Sequence, residues 1–157
     1  MALRQIRLRE EEILRKKCKE VKVFDDKLKS LLDDMAETMY NHNGCGLAAP
    51  QVGILKRAIV IDIGEGLVEL VNPVVLKTKG KVKDNEGCLS VPGLAGPVTR
   101  PKWAQVQGYT RDGEKVVIEG EDLMARCLCH EVDHLKGILY TDKLEGDLFE
   151  VESEDEA

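Results

Sequence analysis

The clearest hydrophobic pattern in the chain is a helical stripe in the segment 25–42, DDKLKSLLDDMAETMYNH. Its apolar side chains recur every three or four positions, at Leu28, Leu31, Leu32, Met35 and Met39. This spacing places them on one face of an α-helix. Asp25 or Asp26 can cap the start of the helix, and Gly44 can end it in a left-handed turn. The segment therefore predicts an amphipathic helix.

Short strand-like segments fill the middle of the chain. They are 57–63 (RAIVIDI) and 67–73 (LVELVNP), which flank a glycine-containing turn, and segments near 75–83, 104–110 and 115–119. Segment 121–135 predicts a second helix. Glu121 and Asp122 suit the positive N-terminal end of its dipole, and Gly137 can end it. Strands with one early and one late helix predict an α+β fold with mostly antiparallel sheets.

The size and composition of the chain fit one folded domain. Its 157 residues lie within the range of a single domain, and 43% of them are hydrophobic. No apolar run approaches the roughly 18 residues of a membrane span, and residues 1–17 lack the apolar core of a secretory signal. The chain has five cysteines, an odd number, and their spacing is not that of a small disulfide-bonded scaffold. We expect a cytoplasmic protein with reduced thiols and no membrane contact.

The acidic charge is concentrated at one end of the sequence. Residues 145–157 contain seven acids and neither lysine nor arginine, which more than accounts for the net charge of −6. A nearly neutral body argues against a nucleic-acid binder, which needs a clustered basic face. We therefore expect a catalytic domain over 1–144 and a disordered acidic tail over 145–157.

The strongest chemical signal is the pentapeptide HEVDH at 130–134. On a helix, His130 and His134 share one face and can reach the same metal ion. Glu131 then lies beside the metal, where it can take a proton from water. A chance match on a charged helix is the alternative. Leu123 and Cys127 lie on the same helix face as the two histidines, so this face should point inward. Buried imidazoles need partners, which makes a chance match less favourable.

A catalytic metal of this type has a third protein ligand. No histidine follows His134, so an upstream thiolate is the better candidate. Cys88 lies in the sequence EGCLS, where Gly87 would permit an unusual backbone approach. Cys127 remains the alternative, although three ligands on one helix would crowd one side of the ion. Cys18, Cys45 and Cys129 are then packing residues.

The third segment is GCGLAAPQ at 44–51. A helix end followed by a loop would explain Gly44, but not the second glycine and the small apolar residues that follow. Gly46 would let the backbone come close to a substrate. Gln51 could donate a hydrogen bond to an oxyanion that develops during a reaction. The segment predicts part of a substrate site.

The motifs GCGLAAPQ (44–51), EGCLS (86–90) and HEVDHLKG (130–137), intact and in this order, resemble those of the peptide deformylase family. The resemblance covers about residues 1–144 and points to the shorter subtype without insertions. It implies antiparallel sheets packed around a central helix that carries the HExxH motif. It also implies removal of the N-formyl group from the formyl-methionine of nascent polypeptides.

The resemblance further implies the roles of individual residues. Cys88, His130 and His134 would hold one divalent ion, usually Fe²⁺, with Zn²⁺, Ni²⁺ or Co²⁺ in some preparations. Glu131 would be the general acid and base, and the Gln51 side chain and the Leu89 N–H would bind the carbonyl oxygen.

Other residues are candidates for substrate contact. Cys45, Leu123 and Cys127 are candidates for the methionine pocket, with Gly46 and Gly87 beside them. Arg100 either contacts the peptide or is a surface arginine in a turn. The acidic end argues against ribosome docking through a basic C-terminal helix, so any ribosome contact would be transient and of another kind.

Two other functions remain open from the residues alone. A zinc peptidase that cuts internal bonds would need a different third ligand and an open cleft. A structural metal site in a binding module would recruit Cys127 as a fourth ligand beside Cys88, and Glu131 would have no role.

Overall fold

Two antiparallel sheets and two α-helices make up the fold, and a computed structural model describes residues 2–151. The helices are α1 (Asp26–Asn41) and α2 (Leu123–His134). The strands are β1 (Gly46–Ala48), β2 (Ala58–Ile61), β3 (Val68–Lys79), β4 (Val82–Cys88), β5 (Val91–Arg100), β6 (Trp103–Tyr109), β7 (Lys115–Glu121) and β8 (Phe149–Glu150). Short 3₁₀ helices span Glu12–Arg15, Ala49–Val52 and Tyr140–Lys143. The α+β prediction with antiparallel sheets is confirmed.

The larger sheet lies between the two helices. Its strand order is β1-β2-β3-β6-β7, with every neighbouring pair antiparallel. Alternate residues of β2 show why this strand is apolar throughout. Ala58 and Val60 pack in the cluster of α1, whereas Ile59 and Ile61 pack in the cluster of α2. A strand buried on both faces needs no polar alternation.

Helix α1 forms where its apolar stripe predicts it. The Asp25 carboxylate accepts a hydrogen bond from the Leu28 N–H at 3.0 Å, as expected of an N-cap. The prediction for the other end is wrong, because the left-handed residue is Asn43, with φ of 55°, and not Gly44. Asparagine tolerates this conformation better than most side chains, so no glycine is required there.

Helix α2 begins directly after β7 and ends near Gly137, whose φ of 78° is the left-handed value expected of a helix end. Its apolar face packs against the larger sheet through Leu128, Val132 and Leu135. The other side of α2 faces the smaller sheet, whose strand order is β4-β5-β8. The helix that carries HEVDH therefore lies between the two sheets.

The strand predictions fail at two places, in β3 and in the hairpin of β4 and β5. The segments 67–73 and 75–83 are not two strands, since β3 runs through Asn72 and Pro73 with irregular register and ends at Lys79. The hairpin of β4 and β5 was not predicted. Its sequence has no clear alternation, but backbone pairing between the two strands forms it nonetheless.

The prediction of a disordered tail from residue 145 is wrong for residues 145–151. Phe149 and Glu150 pair with β5 as β8, and the Val151 N–H donates to the Gly93 carbonyl at 3.0 Å. Leu148 packs against the cluster of Val91, Val98 and Tyr140. Backbone pairing and one partly buried leucine offset the entropy of ordering this segment. Residues 152–157 lie outside the described part of the chain.

Shortening the chain to end at Glu145 should therefore weaken the fold. The change removes β8 and the buried part of Leu148, and we expect a loss of about 1–3 kcal/mol in the free energy of unfolding. Urea denaturation measures it, with a chain ending at Val151 as the control, because that chain keeps every contact just described. Equal midpoints for the full chain and the chain ending at Glu145 would show that the segment contributes no stability.

Candidate metal centre

Three side chains with metal-binding donor atoms converge where β4 meets α2. Cys88 is the last residue of β4, and His130 and His134 are one turn apart on α2. Their donor atoms all lie within 4.8 Å of one another. Cys88 Sγ is 3.4 Å from His134 Nε2, and the two histidine Nε2 atoms are 3.2 Å apart. Both histidines are buried.

These separations fit a shared metal ion. With metal–nitrogen bonds of about 2.0–2.1 Å and a metal–sulfur bond of about 2.3 Å, tetrahedral ligands lie about 3.3 Å apart for two nitrogens and about 3.6 Å apart for sulfur and nitrogen. The observed values of 3.2 and 3.4 Å are close to both. Three protein donors leave a fourth position for water, as in catalytic sites.

A buried carboxylate, Glu86, orients the first histidine. Its Oε1 lies 2.7 Å from His130 Nδ1, and Arg100 binds both of its oxygens. Burial opposes ionisation, but the hydrogen bonds from His130 and Arg100 lower the pKa of Glu86 to about 2. An ionised carboxylate only accepts, so His130 Nδ1 must donate, and in the neutral ring Nε2 then carries the lone pair that a metal would bind.

The alternative that Arg100 is a surface arginine in a turn is wrong, and Arg100 is not among the residues that line the cavity described below. Arg100 is the last residue of β5, and its side chain is 3% exposed. Nε and Nη2 bind Glu86, and Nη1 binds Asp133 Oδ2 at 2.6 Å. Three of the five guanidinium N–H groups therefore bind buried carboxylates. The side chain holds Glu86 against α2.

Replacing Arg100 with glutamine should destabilise the protein by about 3–5 kcal/mol, because the Glu86 carboxylate would keep its burial but lose its bidentate partner. Thermal and urea unfolding of the metal-loaded protein measure the change. Arg15→Gln is the matched control, since Arg15 pairs with Asp142 at the surface, where such pairs contribute about 0–1 kcal/mol. Similar losses in both variants would mean that the Arg100 network is no stronger than a surface pair.

Glu131 lies beside the three donors without joining them. Its side chain is 6% exposed, and its Oε2 is 4.0 Å from His130 Nε2. Among the described residues, Oε1 has no hydrogen-bond partner. Burial raises the pKa of Glu131 to about 7. A carboxyl group that titrates near neutral pH can both accept and return a proton.

Gly46 is required by Glu131 and not, as the sequence suggested, only by a substrate. A side chain at Gly46 would overlap the Glu131 carboxylate. The expectation for Gly87 is not supported, because its backbone is not left-handed and an added side chain would make only an ordinary contact with the Leu94 carbonyl. Both glycines line the cavity described below.

Gln51 is held with its amide N–H groups towards the metal site. The Ala48 N–H donates to Gln51 Oε1 at 2.9 Å, which fixes the orientation of the amide. Nε2 then lies 3.0 Å from Ser90 Oγ and 3.4 Å from Cys88 Sγ. Leu89 follows Cys88 in the turn between β4 and β5 and lines the same cavity. Both predicted oxyanion donors therefore lie beside Cys88.

A cavity of about 370 Å³ opens beside the metal position. Its wall includes the three predicted pocket residues, Cys45, Leu123 and Cys127. Leu123 is half exposed, contrary to the inward stripe expected from the sequence, whereas Cys127 is 5% exposed. Val151 completes the wall from the segment predicted to be disordered.

Cys127 does not join the three donors, although the sequence left it open as a ligand. Its Sγ lies 3.4 Å from Cys45 Sγ, and the only metal-binding cluster found in residues 2–151 consists of Cys88, His130 and His134. A closed site with four protein ligands therefore has no support in this part of the chain.

The fold and the site define a class: an α+β protein in which three converging side chains could hold a metal ion beside a buried carboxylate. The model of the polypeptide deformylase family matches residues 3–148. The chain therefore belongs to this family of metal-dependent enzymes, whose reaction removes the formyl group from newly made polypeptides.

Named relatives and solved structures agree with this assignment. A peptide deformylase of Acetivibrio thermocellus is 58% identical over 92% of this chain and 85% of its own length. One from Agathobacter rectalis is 53% identical over 99% and 98%. The crystal structure of peptide deformylase from Thermotoga maritima aligns with a TM-score of 0.90 at 41% identity, over 92% of this chain and 99% of that one.

Sequence reasoning missed the residues that support the ligands. Glu86 stands in the EGCLS motif but received no role, and Asp133 stands unassigned within HEVDH. Arg126 was also missed. It binds Glu86 Oε2 at 2.6 Å and the Val98 carbonyl at 3.0 Å. For Arg126 and Asp133, the available signal was a charge close to the histidines on a helix face that is expected to face inward, because buried charges require partners.

Proposed function

We propose that this chain hydrolyses the formamide bond of N-terminal formyl-methionine in nascent polypeptides, with a metal held by Cys88, His130 and His134. The observation that carries the proposal is the convergence of these three donors, all within 4.8 Å of one another, beside the buried Glu131 carboxylate and a cavity. Relatives that are 53–58% identical bear the name peptide deformylase.

The ion proposed is Fe²⁺, with Zn²⁺, Ni²⁺ and Co²⁺ as substitutes. A thiolate and two imidazoles suit these ions, whereas Mg²⁺ and Ca²⁺ prefer oxygen ligands. An ion in this site supplies Lewis acidity, which makes water a stronger acid and polarises a carbonyl oxygen.

Glu131 is the proton carrier in this mechanism. It accepts a proton from the water that attacks the formyl carbon and delivers it to the amine nitrogen as the carbon–nitrogen bond breaks. Its burial keeps other water away, and its pKa near 7 lets it act in both directions at neutral pH. Formate and a polypeptide with a free amino group are the products.

Gln51 and Leu89 stabilise the charge that forms on the formyl oxygen. The Gln51 Nε2–H and the Leu89 backbone N–H donate hydrogen bonds that strengthen as this oxygen becomes negative. Because the Ala48 N–H fixes the Gln51 amide, its donor needs no reorientation during the reaction.

The peptide itself lies extended between two backbone segments that line the cavity. One runs from His42 to Gly46, and the other includes Gly87 and Leu89. Main-chain hydrogen bonds to such segments hold a peptide irrespective of its sequence. The methionine side chain then occupies the pocket formed by Cys45, Leu123 and Cys127.

The natural setting proposed is the cytoplasm, where chains leave the ribosome. The part of the structure that covers residues 2–151 contains no helix long and apolar enough to span a membrane. The seven acids of 145–157 repel a phosphate-rich surface, so a contact with the ribosome would use another face of the molecule.

A pair of peptides tests the reaction. Formyl-Met-Ala-Ser should release formate, whereas acetyl-Met-Ala-Ser should release far less acetate, because the extra methyl group must fit between Glu131 and the oxyanion donors. Comparable rates for both peptides, or cleavage between methionine and alanine, would contradict the proposed function.

A further inference from the structure

Two cysteines outside the metal ligands face each other in the cavity wall. Cys45 directly precedes β1, and Cys127 lies on α2 one turn before His130. Their sulfur atoms are 3.4 Å apart, although 82 positions separate them in the sequence. Cys45 is exposed and Cys127 is buried, so only one of the pair is open to solvent.

This distance allows a covalent bond after a small movement. A disulfide requires a sulfur–sulfur distance of about 2.05 Å, so the two atoms must approach by about 1.4 Å. Rotation of the two side chains can supply much of this movement, because Cys45 is exposed. No other cysteine pair among residues 2–151 has its sulfur atoms in contact.

The protonation of the pair suits an attack by Cys45. The hydrogen bond between the two sulfur atoms, in which either could be the donor, is the largest cause that lowers the pKa of Cys45 to about 6. The same contact, together with burial, raises the pKa of Cys127. The exposed sulfur is therefore the thiolate that an oxidant meets first, and the buried thiol is positioned to resolve the product.

We propose that Cys45 and Cys127 form a reversible disulfide under hydroperoxide, and that this bond lowers turnover by reshaping the cavity. The Cys45 thiolate attacks one oxygen of hydrogen peroxide and the O–O bond breaks. The departing hydroxide takes a proton from solvent and leaves as water, and Cys45 becomes a sulfenic acid. The Cys127 sulfur then attacks the Cys45 sulfur, the S–O bond breaks, and a second water leaves with the Cys127 proton. Two thiols thus lose two electrons to one peroxide, and a dithiol reductant reverses the change.

The effect on activity follows from what the bond connects, and it rests on the proposed function. The disulfide would tie the segment before β1 to α2 across the pocket assigned to methionine. Gly46, the next residue, packs directly on the Glu131 carboxylate. Changes of about one methylene group in an apolar pocket alter kcat/KM by roughly 10–200-fold. We expect a loss of about tenfold at unchanged metal content.

The test uses the full-length zinc-loaded protein, because Zn²⁺ has no redox chemistry of its own. After a short pulse of hydrogen peroxide and alkylation of free thiols, a non-reducing tryptic digest should contain peptide 30–56 linked to peptide 127–136. Cys129 shares the second peptide, so Cys129→Ser is the matched control and should keep the link. Cys127→Ser and Cys45→Ser should lose it.

Turnover and zinc content are measured on the same samples. We expect the drop in kcat/KM to appear with the link, to be absent in peroxide-treated Cys45→Ser, and to reverse with dithiothreitol. Absence of the link, or a link through Cys88 or Cys129, would overturn the proposal, as would a complete link without loss of turnover. The digest alone decides whether the bond forms, even if the protein hydrolyses no formyl peptide.

Discussion

Glu131→Gln should lower kcat by about 10²–10⁴ while the protein keeps its metal. Glutamine preserves the size of the side chain but cannot accept a proton from water. Glu131 is not one of the three converging donors, so its replacement leaves them in place. Steady-state deformylation of a formyl-Met peptide and elemental analysis of the same preparation measure the two effects separately.

The control for this variant is Glu119→Gln, the same chemical change at an exposed position on β7. Its turnover and metal content should match those of the unmodified protein. Loss of both metal and activity in Glu131→Gln would identify Glu131 as a ligand. Retention of full turnover would remove it from the mechanism.

Cys88→Ala should abolish activity and remove or greatly weaken metal binding. The change takes away the only thiolate among the three donors, and two imidazoles on one helix leave half of a tetrahedral ion without protein ligands. Elemental analysis after gel filtration measures the metal content, and formate release measures the activity.

Two other cysteine variants make this result specific. Cys127→Ala removes the sulfur that the sequence left open as a ligand, and Cys129→Ala removes a buried thiol that packs against Ala104 and Ala125. Both should bind about one metal ion per chain. A metal-free Cys127→Ala beside a metal-loaded Cys88→Ala would reverse the ligand assignment.

The sequence predicts the fold and the site best where the spacing of residues itself determines the structure or the chemistry. The apolar stripe of α1 marks its helix, and the HEVDH spacing brings His130 and His134 together without knowledge of the fold. Cys88 was predicted from a chemical argument and from the family resemblance. No local pattern links it to His130, because 41 residues separate the two, and the pairing of β4 with β5 positions it.

The remaining parts of the site depend on contacts that no local pattern records. The sequence left Arg100 open as a peptide contact or a surface arginine, because its partners, Glu86 and Asp133, are distant in the sequence. The pairing of β8 with β5 likewise orders a segment whose composition suggests disorder. Backbone hydrogen bonds are nearly independent of side-chain type, so composition does not reveal them.

The most direct test of the metal centre is X-ray absorption spectroscopy of the zinc-loaded, full-length protein. The structure predicts one sulfur at about 2.3 Å and two imidazole nitrogens at about 2.0–2.1 Å, with one further light atom in the fourth position. Any zinc that Cys88→Ala still binds should have no sulfur neighbour. Two sulfur neighbours in the unmodified protein would indicate a closed site that includes Cys127, and no sulfur neighbour would contradict the assignment of Cys88.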